Sequence, residues 1–318
     1  MYLMGIDLGG THIRVALANQ HGIILTRRRV RTPVAEGRAA IMSCLIGLVE
    51  QLSSEVSELT AIGVGVAGQV DMQAGSIKHA PTLPGWRDVS LAHMLRERMG
   101  VPVFLANDAS LAALGEYTYG AGKGLQHFLY LTVSTGIGAG IIVDGQLVLG
   151  LHGSAGEVGH MIVEPGGAIC ACGGRGHLET LASGTAIARL AREALATGQQ
   201  SLLQQQQESG PTGITAADIA QAAEQGDALA LDLLKNAGRY LGYAVINLVH
   251  LFNPQMIAIG GGVSSANELV FGPMREVVYT GLMPAFQRDF QLVKATLGDD
   301  AGIIGAIEFA RREIKCGS

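Results

Sequence analysis

Two imidazoles and two thiols form the most specific ligand pattern in this chain: His160, Cys170, Cys172 and His177. Thiolate sulfur and imidazole nitrogen are the ligands that Zn²⁺ takes in closed tetrahedral sites. The segment that carries three of them, ICACGGRGHLE, is rich in glycine, which lets a loop fold closely around an ion. The pattern predicts a structural zinc site, and the alternative is two buried thiols beside two surface histidines.

Carboxylates flank these ligands on both sides. Glu157 precedes His160 in GEVGH, and Glu179 follows His177. A histidine that binds a metal through one ring nitrogen can hydrogen-bond a second partner through the other, so the metal would position neighbouring groups. We expect Glu157 and Glu179 to bind vicinal hydroxyls, and solvated charge or helix capping is the alternative.

Asn107 and Asp108 stand where a predicted strand ends and an alanine-rich predicted helix begins. Open α/β sheets place their active groups at such points. The amide of Asn107 can hold one hydroxyl of a substrate while the Asp108 carboxylate takes a proton from another. The alternative is that Asp108 only caps the helix.

Three glycine-rich turns follow apolar strands: DLGGT, STGIGAG and GGGV, the last beginning at Gly260. In DLGGT, bare N–H groups, a hydroxyl and a carboxylate suit the phosphate chain of a nucleotide and its Mg²⁺. The residues of that turn are Asp7, Gly9, Gly10 and Thr11. A simple hairpin would explain DLGGT alone, but the three turns together predict a nucleotide site.

Two other nucleotide signatures fail. Gly63-x-Gly65-x-x-Gly68 matches the dinucleotide fingerprint, but the residues after it do not predict a helix. Gly122-Lys123 lacks both the upstream glycine and the following Ser or Thr of a P-loop. The nucleotide prediction therefore depends on the paired glycine turns.

The elements that would position these groups alternate between strands and helices. Met4–Leu17 and Tyr130–Val143 share one pattern, in which an apolar strand, a polar glycine turn with a threonine and a second apolar strand follow one another. The repeat predicts two related α/β domains that face each other across a cleft, with the two turns gripping a polyphosphate. Residues 178–196 have the periodicity of a single helix.

The composition disfavours several classes of protein. The chain has 318 residues, a formal net charge of -5 and four cysteines, and its only tight basic run is RRRVR at residues 27–31. Neither nucleic acid as the main partner nor a disulfide framework is expected. We find no secretory signal and no apolar run of the length of a membrane span, so we expect a cytoplasmic protein.

The chain resembles the ROK family (repressors, open reading frames and sugar kinases) over essentially its whole length. The motifs that carry the resemblance are DLGGT, GVGVAGQVD, LPGW, ANDA, STGIGAGI, GEVGHM, CACGGRGHLE and IGGGV. The family implies an α/β fold with two RNase H-like domains of the actin, hexokinase and Hsp70 type around a central cleft. We expect residues 1–106 and 302–318 to form the small α/β domain, and residues 107–301 to form the large α/β domain that carries the zinc loop.

The resemblance also implies an activity, the ATP- and Mg²⁺-dependent phosphorylation of the 6-hydroxyl of a hexose. Asp108 would be the general base for that hydroxyl, and His160 would serve both the sugar and the zinc. The residues implied to bind the sugar are Gly68, Asn107, Asp108, Glu157, His160 and Glu179. Those implied to hold the phosphates are Asp7, Gly9, Gly10 and Thr11 in the first turn and Ser134, Thr135, Gly136 and Gly138 in the second, with Gly260, Gly261 and Gly262 near the adenosine. Members are commonly dimers or tetramers, so we expect a homodimer or homotetramer.

Three positions depart from the family pattern. His177 stands where a third cysteine is usual, so an imidazole would be the fourth metal ligand. His12 stands where most members have lysine after DxGGT, which weakens the positive charge expected near the phosphates. Thr82 stands where an asparagine often precedes LPGW, which changes the expected sugar contacts.

Glucose is the favoured substrate, because GEVGH with Glu157 resembles the glucose-type pattern. N-acetylmannosamine, mannose, allose and fructose are the alternatives. A sugar-responsive repressor is the rival from another class, but the phosphate turn begins within ten residues of the start and leaves no room for a helix-turn-helix. A sugar-sensing protein without catalysis is a third hypothesis, and the presence of Asp108 argues against it.

Overall fold

The computed structural model describes residues 1–207 and 213–316. The strands in these ranges are β1 (Tyr2–Leu8), β2 (His12–Asn19), β3 (Ile24–Arg31), β4 (Leu59–Val66), β5 (Gln69–Asp71), β6 (Ser76–His79), β7 (Arg87–Val89), β8 (Val103–Asn107), β9 (Phe128–Val133), β10 (Ile137–Val143), β11 (Gln146–Leu147), β12 (Met256–Gly260) and β13 (Gln291–Lys294). The helices are α1 (Gly37–Ser53), α2 (Leu91–Met99), α3 (Asp108–Tyr119), α4 (Glu179–Ala182), α5 (Gly184–Ala196), α6 (Gln204–Gln207), α7 (Ala216–Glu224), α8 (Ala228–Phe252), α9 (Glu268–Gly281) and α10 (Ala301–Cys316).

Two five-stranded sheets repeat one topology. The first has the order β3-β2-β1-β4-β8 and the second the order β11-β10-β9-β12-β13. If the strands of each sheet are numbered along the chain, their spatial order is third, second, first, fourth and fifth. The fourth strand pairs in parallel with the first, and the fifth pairs in parallel with the fourth. The hairpins β1–β2 and β9–β10 are the two halves of the sequence repeat, so the predicted pair of related α/β sheets is confirmed.

The chain divides into two compact units. The first contains residues 1–125, 140–156 and 296–318, and the second contains residues 126–139 and 157–295, so one boundary falls within β10. The expected domain boundaries after residue 106 and before residue 302 remain a prediction. In the observed grouping α3 belongs to the first unit because it packs against α10, where a Cβ on Gly305 would lie 1.7 Å from the carbonyl oxygen of Leu111.

Helices cover both faces of the first sheet. Side chains of α1 and α2 share a core with the apolar face of β1, β2 and β4. On the other face α10 packs against β1, β2 and β4 and contacts α3 through Ala306 and Phe309. A Cβ on Gly63 of β4 would lie 1.9 Å from the carbonyl oxygen of Ala306, so only glycine allows this backbone approach.

A buried carboxylate joins two segments of the first unit, the one at the first exit of the chain toward the second unit and the one at its last return. Glu116 of α3 is fully buried, and it accepts hydrogen bonds from the backbone N–H groups of Ala121 (2.9 Å), Thr296 (2.9 Å) and Leu297 (2.6 Å). The chain first leaves this unit after Leu125 and enters it for the last time at Thr296. One side chain therefore anchors the first exit from this unit and the last return to it.

A helix predicted in the second unit is divided in the structure. Residues 178–196 do not form a single helix, because α4 ends at Ala182 and α5 begins at Gly184. Ser183 has an extended backbone, and its hydroxyl accepts from the N–H of Ala186 as the cap of α5. None of the helices in the described residues combines the length and apolar character needed to cross a bilayer.

Candidate functional site

The first glycine turn joins β1 to β2 in the first unit. Asp7 lies near the end of β1, and its carboxylate accepts a hydrogen bond from Arg14 at 2.8 Å. Burial raises the pKa of the Asp7 carboxyl, and the charge of Arg14 partly offsets that effect. A Cβ on Gly10 would lie 2.6 Å from the Cβ of Thr82, so Thr82 packs directly beneath the turn. Thr82, which departs from the family pattern, therefore supports the first glycine turn.

His12 begins β2 beside several arginines. Its ring nitrogens lie 3.3 and 3.4 Å from a guanidinium nitrogen of Arg29. Burial and the charges of Arg29, Arg14 and Arg31 lower the pKa of His12, which keeps the imidazole neutral at pH 7. The positive charge next to this turn is supplied by arginine, and not by residue 12.

Asn107, not Asp108, caps α3. Its side-chain oxygen accepts from the N–H groups of Ala109 (2.9 Å) and Ser110 (3.2 Å), and its amide nitrogen donates to the carbonyl of Gly68 at 3.2 Å. Asp108 is the first residue of the helix. The capping role that the sequence analysis considered for Asp108 thus belongs to its neighbour.

Parallel pairing brings the site residues of the first unit to one edge of the sheet. Strands β1, β4 and β8 run parallel, with Asp7 opposite Gly65 and Val66 opposite Asn107. Carboxyl ends of adjacent parallel strands are where α/β sheets bind ligands. The dinucleotide match at residues 63–68 is followed by β5 and not by a helix, as predicted.

The second glycine turn, Ser134 to Gly136, is enclosed by its own unit. The N–H of Gly184 and the hydroxyl of Thr185, at the start of α5, donate to the carbonyls of Ser134 and Thr135, each at 2.7 Å. A Cβ on Gly159 would lie 2.2 Å from the carbonyl oxygen of Ile137, so the GEVGH segment packs against the far end of the turn.

The third glycine turn lies against the strand that leads into the second. Gly260 ends β12, and Gly261 has a φ of 86°, a left-handed value that favours glycine. A Cβ on Gly261 would lie 2.4 Å from the carbonyl oxygen of Val133. The structure therefore places Gly261 against Val133, the residue directly before Ser134.

The four predicted metal ligands converge in the second unit. One ligand atom from each of His160, Cys170, Cys172 and His177 lies within 4.8 Å of the other three. The Nδ1 atoms of the two histidines are 3.3 Å apart, the Cys172 sulfur is 3.3 Å from Nδ1 of His177, and the Cys170 sulfur is 3.7 Å from Nδ1 of His160.

These separations match the edges of a tetrahedral zinc site. With Zn–N near 2.0–2.1 Å and Zn–S near 2.3 Å, neighbouring ligand atoms lie roughly 3.3–3.8 Å apart. The two sulfurs and two nitrogens are also the donor types that zinc prefers. Three of the six separations and all four donor types therefore fit a zinc ion.

Glycine makes this geometry possible. The segment from Ile162 to His177 folds back on itself, with bridges between Ile162 and His177 and between Ile169 and Arg175. A Cβ on Gly174 would lie 2.3 Å from the His177 ring, so a larger residue would push the ligand away. His177 and Cys170 are buried, whereas Cys172 is exposed.

The two predicted carboxylates lie on either side of His160. Glu157 is 3.9 Å from Nε2 of His160, and Glu179 is 3.9 Å from Nδ1. The pKa of the Glu157 carboxyl is raised, mainly by burial. The charge of His160 lowers this pKa and the charge of Glu179 raises it. Burial raises the pKa of the Cys170 thiol to about 11, so a metal ion must compete with a proton there.

The predicted site residues are divided between the units. The first unit holds Asp7, Gly9, Gly10, Thr11, Gly68, Asn107 and Asp108, and the second holds Ser134, Thr135, Gly136, Gly138, Glu157, His160, Cys170, Cys172, His177, Glu179, Gly260, Gly261 and Gly262. Two further residues were missed by the sequence analysis. Arg14 stands two residues after His12 and so shares its face of β2, and Thr185 follows the cap of α5.

Comparison with known proteins assigns a family and a fold. The model of the ROK family matches residues 3–313. A glucokinase of Thermotoga maritima is 39% identical over 312 residues, which are 98% of each chain. A crystal structure of a ROK family glucokinase from Streptomyces griseus in complex with glucose and AMPPNP has a TM-score of 0.84 at 36% identity, covering 98% of this chain and 100% of that one. The crystal structure of a ROK hexokinase from Thermus thermophilus has a TM-score of 0.83 at 34% identity, and the match covers 100% of both chains. The predicted α/β fold, with two RNase H-like domains of the actin, hexokinase and Hsp70 type, is confirmed.

Proposed function

This chain belongs to the ROK family, and we propose that it phosphorylates glucose at the 6-hydroxyl with ATP as the donor. The observation that carries the proposal is the likeness, over 98% of this chain, to a structure that holds glucose and the ATP analogue AMPPNP. The glucokinase relative is similar over the same share of its length. Enzymatic phosphoryl transfer of this kind produces glucose 6-phosphate and ADP.

Asp108 acts as the general base in this proposal. Its carboxylate takes the proton of the 6-hydroxyl as the oxygen attacks the γ-phosphorus, and the bond to the bridging oxygen of ADP breaks on the opposite side. The structure supports the assignment because Asp108 begins α3 at the end of β8, directly after Asn107, whose side chain caps the helix and donates to the carbonyl of Gly68. Asn107 and Gly68 are the proposed sugar-binding groups of the first unit.

The second unit supplies the remaining sugar-binding groups, Glu157, His160 and Glu179. Each of the two carboxylates lies 3.9 Å from a ring nitrogen of His160. Carboxylates accept hydrogen bonds from adjacent hydroxyls, and this fits a pyranose ring. We assign them to hydroxyls other than the reacting one.

The glycine turns hold the nucleotide. The N–H groups of the two phosphate turns suit phosphate oxygens, and the turn at Gly260 to Gly262 is assigned to the adenosine side. Asp7 would hold Mg²⁺, since a carboxylate at the end of β1 is a hard oxygen ligand. When bound, Mg²⁺ neutralises charge on the phosphates during transfer. Arg14 orients the Asp7 carboxylate through their 2.8 Å ion pair.

We assign Zn²⁺ to the set formed by His160, Cys170, Cys172 and His177. The support is the convergence of the four ligand atoms within 4.8 Å, the three separations of 3.3 to 3.7 Å among them, and their chemical types. With four protein ligands the site is closed, so zinc has a structural task there: it fixes the ring of His160 between Glu157 and Glu179.

A homodimer or homotetramer is part of the proposal. Large apolar side chains are exposed along α8 and at the end of α9, including Leu251 at 73% and Tyr279 at 42%, and Met283 follows at 58%. Exposed apolar patches of this kind mark protein–protein contacts. Sedimentation velocity of the purified chain would measure the assembly. A cytoplasmic location is also proposed, because the donor is ATP.

A coupled assay of ADP release tests the activity and the choice of sugar. Glucose, mannose, allose, fructose, N-acetylglucosamine and N-acetylmannosamine are compared at equal concentrations with ATP and Mg²⁺. We expect the highest kcat/KM with glucose. A hexose at least about tenfold better than glucose would overturn the assignment of substrate, and no turnover with any sugar would overturn the assignment as a kinase.

A further inference from the structure

The first glycine turn is held from outside the hairpin by a single threonine. Thr32 is buried; its hydroxyl donates to the carbonyl of Gly9 at 2.7 Å, and its N–H donates to the carbonyl of Thr11 at 2.9 Å. Within the turn, the N–H of Gly9 donates to the carbonyl of His12 at 3.1 Å. The N–H groups of Gly10 and Thr11 have no acceptor among residues 1–207 and 213–316. The turn is therefore fastened by its carbonyls, and two consecutive N–H groups stay open.

The second glycine turn shows the same arrangement of bonds. The N–H of Gly184 donates to the carbonyl of Ser134 at 2.7 Å, and the hydroxyl of Thr185 donates to the carbonyl of Thr135 at 2.7 Å. The N–H of Ser134 donates across the turn to the carbonyl of Gly136 at 2.9 Å. In the part of the chain that the structure describes, the N–H groups of Thr135 and Gly136 meet no acceptor. Here too, a threonine hydroxyl and a backbone N–H hold the carbonyls and leave two N–H groups open.

The bonded carbonyls fix the direction of the open N–H groups. In a trans peptide, the carbonyl of one residue and the N–H of the next point in opposite directions. By holding the Gly9 carbonyl, Thr32 therefore directs the N–H of Gly10 to the opposite side of the turn. The same relation links Thr185 to the N–H of Gly136.

The two threonines come from unlike elements. Thr32 directly follows the edge strand β3, whereas Thr185 lies in the first turn of α5. The third strand of the second sheet, β11, ends at Leu147 and makes neither bond to the second turn. The repeat of the hairpins alone therefore does not account for the shared arrangement.

We infer that Thr32 and Thr185 are positioning residues that orient the N–H groups of the two turns for the phosphates of the nucleotide. N–H groups that already point to one side bind an anion without first reorienting. The inference rests on the proposed function in assigning both turns to the phosphates. None of these bonds involves a substrate or a metal ion, so the order of the turns can be measured in the free protein and the affinity for nucleotide separately.

Alanine and serine variants isolate the hydroxyl, because the two residues differ by that group alone. We expect AMPPNP affinity, measured by calorimetry without sugar, to fall about three- to tenfold in Thr32→Ala and in Thr185→Ala. The affinity should return toward the wild-type value in Thr32→Ser and Thr185→Ser, and glucose affinity should be unchanged in all four variants. Thr118→Ala is the matched control, because that hydroxyl donates to the carbonyl of Leu114 within α3 at 2.8 Å and contacts neither turn; AMPPNP affinity should be unchanged.

Relaxation of the amide nitrogens in the free protein measures the turns directly. We expect the order parameter to fall at Gly10 in Thr32→Ala and at Gly136 in Thr185→Ala, because each N–H shares a peptide group with the released carbonyl. The serine variants should restore both values.

The outcomes separate this inference from the proposed function. Turns that stay rigid in both alanine variants, or that loosen with no loss of AMPPNP affinity, would overturn the inference even if the enzyme phosphorylates glucose. An equal loss of affinity in the alanine and serine variants would overturn it as well, because the hydroxyl would not be the responsible group. Failure of the wild-type protein to bind AMPPNP would instead overturn the assignment of the turns to the nucleotide.

Discussion

Asp108 carries the chemistry in the proposed reaction, and its position makes a clean test possible. Because Asn107 forms the cap of α3, replacing Asp108 does not remove the helix cap. We expect Asp108→Asn to retain glucose binding and to lower kcat by about 10²–10⁴-fold, the usual contribution of a general base. Calorimetry with glucose and the coupled assay measure the two quantities. Asp232→Asn, at an exposed position of α8, serves as the control, and near-normal turnover in Asp108→Asn would refute the base assignment.

His177 is the residue in which the metal centre departs from the family pattern. Cysteine and histidine are both zinc ligands, whereas alanine supplies no donor atom. We expect wild type and His177→Cys to contain about one zinc per chain by elemental analysis, and His177→Ala to lose most of it. The exposed His152 offers a control as His152→Ala. Equal zinc content in His177→Ala and wild type would show that the imidazole is not a ligand.

For individual residues, the sequence predicted the candidate site best where possible metal ligands lie close together along the chain. His160, Cys170, Cys172 and His177 were identified from their spacing, because side chains close in sequence within a glycine loop are also close in space. Capping was considered as the alternative role of Asp108, but Asn107 forms the cap, and both residue types favour that position. The ion pair of Arg14 with Asp7 was missed because it depends on the register between β1 and β2.

Among the elements, α10 packs closely against the first sheet because glycine occupies the position beneath it in β4. Gly63 of β4 lies beneath the carbonyl of Ala306, and an added Cβ would stand 1.9 Å from that oxygen. We expect Gly63→Ala to lower the free energy of unfolding by about 3 kcal/mol, because the helix must move off the sheet. Urea unfolding measures the change. In Gly47→Ala, where α1 offers open space, stability should rise by up to about 1 kcal/mol; equal stability of the two variants would contradict the close packing.

The same helix carries a buried ion cluster. Glu308 is fully buried and accepts from Arg311 at 2.7 and 2.8 Å and from Arg312 at 2.8 Å. Burial alone would raise the pKa of Glu308, but the hydrogen bonds of the two arginines outweigh it and hold the pKa below its ordinary value of 4.5. Because the folded pKa lies below the unfolded one, the ionised carboxylate contributes full stability above about pH 4.5, and this is lost as the pH falls through the folded pKa.

The variant Glu308→Gln tests the direction of this pH dependence of stability. At pH 7 we expect a loss of about 3 kcal/mol in the free energy of unfolding, because two guanidinium groups lose their partner. The difference from wild type should narrow as the pH falls below about 4.5. Urea unfolding at a series of pH values measures both, with Glu276→Gln on the surface of α9 as the control. A difference that widens toward low pH would refute the assigned direction.

Which elements form was largely predictable, whereas how they are ordered was not. The repeat at Met4–Leu17 and Tyr130–Val143 predicted both central hairpins, because strand, turn and strand are local patterns. The break at Ser183 was missed because the apolar period continues through it, while its hydroxyl caps the next helix. The strand order in each sheet depends on parallel pairing between distant segments, as between β9 and β12, which no local pattern records.

For the whole molecule, both units are discontinuous in sequence. The first takes its residues from three segments and the second from two, and Glu116 anchors the first exit of the chain from the first unit and its last return. Length and the internal repeat were enough to predict two related halves. The alternation of segments between the two units could not be predicted from length and repeat, because it depends on α10 returning to the first sheet after the second unit is complete.

The return of α10 has a consequence for synthesis on the ribosome. Ile303, Ile307 and Ala310 supply part of the core that covers Leu3 and Ala61, yet they are translated after every residue of the second unit. The part of the protein that emerges first must therefore wait, with one face of its sheet open, until the second unit has been made. On ribosomes arrested with residues 1–300 outside the tunnel, protease should cut β1 and β4 and spare β9 and β12. Protection of β1 at that length would show instead that the first sheet closes without its last helix, so the window in which nascent chains need a chaperone would be short.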